Sequence, residues 1–235
     1  MAGHPHLPLL FHCDRYSGHH PTIEAMTRMS RTERTELCDV ALQVGEDQPT
    51  LCGDWTVKHL VVHLLLRESS PAAVGIVVPA LAGLTELESR RYGRQDFTVL
   101  VERLRQGAPL WSPFAIPMVD ALANTVEYFV HHEDIRRAQP SWSPRTLSDR
   151  QEQLLWRSIR IAGKGPTRSV EVGMTLERTD TGERLVLKAG EPMAVVRGLP
   201  SELTLFVYGR GPQARVELQG PDEAVSALRS TDLGI

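Results

Sequence analysis

The sequence predicts an α+β protein in two parts, a four-helix bundle followed by a small mixed domain of helices and short strands. Three observations carry this. Apolar residues recur at helical spacing through most of the stretch between residues 30 and 138, the periodicity of helices that bury one face. A Pro- and Ser-containing stretch, Gln139-Pro140-Ser141-Trp142-Ser143-Pro144, then interrupts it. Beyond residue 170 the apolar pattern switches to alternation, the period of a half-buried strand. The expected organisation is a disordered extension over residues 1–28, a helical bundle over 29–139, a linker over 140–145 and an α+β domain over 146–235.

The extension carries five of the nine His (His4, His6, His12, His19 and His20) among scattered Pro and Gly. It has no apolar periodicity and no continuous apolar core of the kind a secretory signal uses, so it is expected to be dispensable. The first helix is predicted from Ser30, where Ser30 and Glu33 fit a capping box, and Leu37, Val40, Ala41 and Val44 follow before Gly45. Thr56 is the expected N-cap of a second helix, Val57–Arg67, apolar around nearly its whole circumference and therefore buried. Residues 71–84 are small and apolar and predict more helix, interrupted at Pro79. Residues 91–104 form the next helix, ended by Gly107 and Pro109, and residues 118–138 form the fourth long one. In the second part, helix is expected over 148–162, a hairpin over 170–188 turning at Asp180–Gly182, a strand over 193–197, a helix over 200–208, a strand over 214–219 and a final helix over 222–229.

Composition narrows the function. Of 235 residues, 41% are apolar, and 26 basic residues against 29 acidic ones give a formal charge of −3. That balance argues against a nucleic-acid or membrane-surface protein. The longest apolar run, Leu60–Leu66, is broken by His63. Cys13, Cys38 and Cys52 form no CxxC, which points to a reducing compartment rather than a disulfide scaffold. Lys58, Lys164 and Lys188 are the only lysines among the 26 basic residues, an Arg bias that suggests a GC-rich genome.

Three residues stand out chemically. His63 interrupts the most apolar helix, where an imidazole needs partners for both ring nitrogens; a satisfied core histidine and a metal ligand are both consistent with it. Glu127 and His131 are four apart and share one face of their helix, a common way to present two metal ligands into a bundle; a solvated polar stripe is the alternative, with Asn124 and Asp134 extending it. His59 forms a rival His-x3-His pair with His63, and His132 must point about 100° away from His131. No GxGxxG, P-loop or nucleophile elbow is present.

The segments CGDWTVKHLVVHL and NTVEYFVHHEDIRRA together resemble motifs of the DinB/YfiT-like metalloproteins, the second being similar to the Glu-x3-His-x2-Asp helix of their mycothiol-dependent maleylpyruvate isomerase branch. GLPSELTLFVYGR resembles a helix of that branch's second domain that ends in Gly-Arg. The resemblance implies a DinB-like bundle followed by a sterol-carrier-like α+β domain, and an actinobacterial, cytoplasmic protein. It implies His63, Glu127 and His131 as ligands of a divalent metal, zinc foremost. His59, where such motifs are usually acidic, departs from the pattern. Arg210 falls at the branch's functional arginine and would grip a substrate carboxylate with its planar fork.

Two His and one Glu leave one position of a zinc ion open, and a thiol placed there is deprotonated. The resemblance therefore implies mycothiol as thiol cofactor and an electrophilic small molecule as substrate, with isomerisation or S-transfer as the outcome. A metal-dependent hydrolase that activates water, and a non-catalytic metal- or lipid-binding protein, are the alternatives. Neither nucleic acid nor membrane is an expected partner, and the chain is expected as monomer or homodimer.

Overall fold

In a computed structural model, residues 21–70, 82–231 and 233 are described. They form eight α-helices and a four-stranded mixed sheet, an α+β protein. The helices are α1 (Pro21–Val44), α2 (Val57–Ser69), α3 (Ala82–Gly93), α4 (Phe97–Gln106), α5 (Pro117–Arg137), α6 (Asp149–Ala162), α7 (Pro200–Val207) and α8 (Asp222–Ser230). The strands are β1 (Gly173–Arg178), β2 (Arg184–Lys188), β3 (Met193–Gly198) and β4 (Glu217–Gln219). Among the described residues, no helix is long and apolar enough to cross a membrane.

Leu37, Cys38 and Ala41 of α1, the apolar residues of α2, and Phe97, Leu100, Val101 and Leu104 of α4 close one core with Tyr128 and Ile135 of α5. The near-continuous apolar surface of α2 is explained by this position: Leu60, Val61 and Leu64 are fully buried. Helix α5 runs through the middle, packed on α1 along much of its length and touching α6 and α7 as well. Most of its residues are buried, including eight polar ones. A buried polar group must find a partner, and those of this helix are met by ion pairs and hydrogen bonds to α1, α2, α7 and Arg210.

The strand order is β2-β1-β3-β4, with β1 and β3 parallel and the other two pairings antiparallel. The link from β2 to β3 has to cross the end of β1. A Cβ on Gly173 would lie 2.1 Å from the carbonyl oxygen of Gly190, so the crossing is possible only with glycine at that position. Helices α6, α7 and α8 cover the sheet, contributing Trp156, Ile159, Leu203, Phe206 and Leu228 to a second core.

Several boundaries differ from the sequence expectation. Helix α1 begins at Pro21 rather than Ser30, so residues 21–28 are not a disordered extension; residues 1–20 lie outside the described residues. The added turns bury Ala25 and Met26 against Phe129, Val130, Leu154 and Leu205, and the apolar pattern at Ile23, Met26 and Met29 has its partners in the distant C-terminal half. The proposed break at Pro79 also lies outside the described residues. Helix α3 extends to Gly93, and α4 starts only after Asp96, whose carboxylate accepts the Val99 amide at 3.1 Å. Residues 214–216 precede a three-residue β4 instead of belonging to it. The Thr56 N-cap is where the pattern put it, and Ser148, expected as the first helical residue, is the N-cap of α6.

The 139–144 stretch is held from both sides. Trp142 lies between the guanidinium groups of Arg137 and Arg215, at 4.8 and 5.1 Å, and the Ser143 carbonyl accepts from Arg136 at 3.1 Å. Arg145 pairs with Glu33, Glu36 and Glu133. A chain beginning at Met29 is therefore expected to melt well below one beginning at Pro21. The Met26→Ala substitution alone should cost about 2–4 kcal/mol in urea denaturation, because the pocket it vacates is closed by residues of both halves.

Candidate metal centre

Helices α2 and α5 meet where His63 faces Glu127 and His131. The Nε2 atoms of His63 and His131 each lie 3.4 Å from Glu127 Oε1. The two imidazoles stand edge to face, with centroids 5.4 Å apart at 72°. The three candidate ligand atoms all lie within 4.8 Å of one another. A separation of 3.4 Å is long for a hydrogen bond, and it matches the edge of a tetrahedron around an ion with bonds of about 2.1 Å. The donor set and its spacing thus fit a divalent cation.

His131 is oriented from behind. Its Nδ1 lies 2.8 Å from Asp134 Oδ2, one turn along the same helix, which leaves Nε2 directed at Glu127. A carboxylate behind a ligating imidazole is the usual means of fixing its tautomer and angle. Asp134 is fully buried and is itself held by Arg210, whose Nε and Nη2 each donate to it at 2.7 Å. The Cys52 thiol donates to Asp134 Oδ2 at 3.1 Å and sits 3.4 Å from Arg210 Nη2. Trp55 lies against His63 on the outer side, ring centroids 5.1 Å apart.

The charges follow from these contacts. Burial alone would raise the Asp134 carboxyl, but hydrogen bonds from His131 and Arg210 and the Arg210 charge bring it down to about 2. Burial disfavours the His131 cation, yet Asp134, Cys52 and Glu127 together push its pKa well above the ordinary histidine value. For Glu127, burial is outweighed by His131, His63 and the charge of Arg67, and the carboxyl is held well below its usual range.

The other histidines are engaged elsewhere. His59 Nδ1 accepts the Thr56 amide at 3.1 Å, closing the cap of α2. His132 lies 2.9 Å from Glu33, on the α1 side of α5. Among the described residues two further groups could hold a cation, Cys52/His131/Asp134 and Glu33/Glu36/His132. Each already holds a guanidinium: Arg210 in the first, and Arg145 in the second, bonded to Glu33 and Glu36. The site thus joins His63, Glu127 and His131, while Arg210 approaches from the second half through Asp134. The carboxylate in its fork is the chain's own.

Two neighbours were not legible from spacing. Cys52 has no motif of its own and reaches the site only because its loop docks on α5, the Leu51 amide donating to the Asp134 carbonyl at 3.1 Å. Arg67 is four residues after His63, so its placement on the same face was available, but its partner on α5 was not.

The fold has counterparts among solved structures. Two crystal structures of mycothiol-dependent maleylpyruvate isomerase, one of them a histidine-to-alanine mutant, superpose with a TM-score of 0.58 at 14–15% identity, covering 85% of this chain and 93% of theirs. At that identity the likeness establishes a shared fold. No family model and no curated relative matches the chain.

Replacing Asp134 by Ala should destabilise the protein by about 3–5 kcal/mol at neutral pH, since it leaves Arg210 largely buried without its counter-charge. The Asp134 contribution is complete above the ordinary aspartate value near 3.8 and is lost as the pH falls to about 2. Denaturation curves across that window should converge for wild type and Asp134→Ala.

Proposed function

We propose that the chain is a zinc-dependent enzyme of the mycothiol-dependent maleylpyruvate isomerase family, acting on an electrophilic small molecule with a thiol cofactor. The observation that carries this is the convergence of His63, Glu127 and His131 at the 3.4 Å spacing of an ion's coordination edge. The shared fold supports it. Zinc held by these three residues would supply the positive charge that ionises the thiol, with one position left open for it.

The chain's own residues do the rest. Asp134 fixes the His131 ring so that Nε2 faces the site. Arg210 keeps Asp134 ionised and in place, which makes it a positioning residue whose fork is occupied, in contrast to a direct grip on a substrate carboxylate. Trp55, partly exposed beside His63, forms an apolar wall against which a conjugated substrate can lie. Bound mycothiol would supply a nucleophilic thiolate: its reversible addition to a conjugated double bond would permit isomerisation, and its retained addition, with a proton taken up at carbon, would give a thioether. The reading includes a division into two domains near 140–145 and a cytoplasmic location.

Purified protein should contain about one zinc per chain by elemental analysis. His63→Ala and His131→Ala should each abolish it, and His59→Ala should not. With zinc loaded, mycothiol and an α,β-unsaturated acid should give an isomer or a thioether; hydrolysis without thiol consumption would assign the site to water activation instead.

A further inference from the structure

Arg67 lies one turn beyond His63 on α2 and faces the same carboxylate. Its Nε stands 3.4 Å from Glu127 Oε1, the oxygen that both imidazoles also face. Nη1 donates to Asn124 Oδ1, Nη2 donates to the Ala123 carbonyl at 3.0 Å, and the guanidinium carbon lies 4.6 Å from the centre of the Phe114 ring. Asn124 is held in turn by Glu68 and Asp120 at 2.7 and 2.8 Å, and Arg34 pairs with both of those acids. A buried network thus fixes the Arg67 guanidinium in one orientation, so little side-chain freedom is left to lose on binding a ligand.

An arginine carries five N–H donors. Among the described residues, Nη1 and Nη2 of Arg67 each have one acceptor and one hydrogen to spare, and the side chain stays 18% exposed. Arg210 is equally exposed at 18% and keeps one spare hydrogen on Nη1, but the Nε/Nη2 edge of its fork is filled by Asp134 through two hydrogen bonds at 2.7 Å, whereas Arg67 meets its carboxylate only at 3.4 Å. The charges make a second point. With a divalent ion on His63, Glu127 and His131, the one carboxylate that Arg67 faces is shared with a dication, and Asp134 is already matched by Arg210. The opening then holds an excess of positive charge next to a fixed guanidinium.

We propose that Arg67 is the anion anchor of the site, binding a carboxylate of the substrate once Glu127 has turned to the metal, and so selecting acidic over neutral electrophiles. The inference rests on the metal reading above. It makes metal and anion mutually supportive, since each removes the obstacle to the other, and such coupling acts equally in both directions.

The test is calorimetric titration of the full-length protein with succinate, a dicarboxylate with no double bond to react. Zinc-loaded wild type should bind it. Metal-free wild type and zinc-loaded Arg67→Gln should bind at least about tenfold more weakly, the loss of one charged hydrogen-bonded contact. Saturating succinate should tighten zinc binding to wild type by the same factor, and Arg67→Gln should still take up stoichiometric zinc. Arg67→Lys, which keeps the charge but not the fork, should fall between and carries the comparison if circular dichroism shows Arg67→Gln to be unfolded. Wild-type succinate affinity in zinc-loaded Arg67→Gln or Arg67→Lys, equal affinity with and without zinc, or no binding to the zinc-loaded protein would each overturn the anchor while leaving the metal site intact. Failure of wild type to bind zinc at all would overturn the metal reading and the anchor together.

Discussion

The ion pair between Arg210 and Asp134 joins the sheet-containing half of the molecule to the helix that presents Glu127 and His131. Both Asp134 oxygens accept from Arg210, and one of them also meets His131 Nδ1 and the Cys52 thiol. One carboxylate thereby fixes an imidazole angle, docks the loop before α2 and clamps two parts of the chain. Removing a buried charge from such a junction costs more than the contact itself contributes, because the remaining partner stays desolvated. The geometry of the His63/Glu127/His131 cluster therefore depends on a residue more than 70 positions away along the chain.

The same logic runs along the rest of α5. Glu133 is buried and meets Arg136, Arg137 and Arg145; Arg137 continues to Glu202 on α7; His132 turns to Glu33 on α1. A helix buried along most of its length offers little solvated surface to its polar residues, so each is matched by a group on the same helix or on an element packed against it. Beside these pairs, Met26, Phe129, Leu155 and Leu205 form an apolar cluster drawn from both halves. Apolar contact and paired charge together hold the bundle to the sheet, and they explain why the stretch after α5 is pinned by Trp142 and Arg145 at both ends.

Around the cluster the charges are balanced in layers. Arg210 matches Asp134 behind His131, and Arg67 stands beside Glu127 in front of it. The guanidinium in front is only ion-paired at 3.4 Å, whereas the one behind makes two hydrogen bonds at 2.7 Å. That difference leaves the front carboxylate free to turn to another cation, and leaves the rear one committed to its histidine.

Much of this was legible in the chain itself. Spacing placed Glu127 and His131 on one helical face, alternation and a turn gave the β1–β2 hairpin, and Thr before an apolar run gave the cap at Thr56. These are local properties, set within a few residues by backbone geometry and side-chain periodicity. The meeting of His63 with Glu127, the docking of Cys52 on Asp134, the commitment of the Arg210 fork and the early start of α1 were decided by packing between distant segments. Periodicity says which face a residue occupies and nothing about what that face meets. Met26 looked like part of an unstructured lead-in because its partners, Phe129 and Leu205, lie more than a hundred residues away, and the meeting of Arg67 with Asn124 and Glu127 depends on how α2 packs on α5.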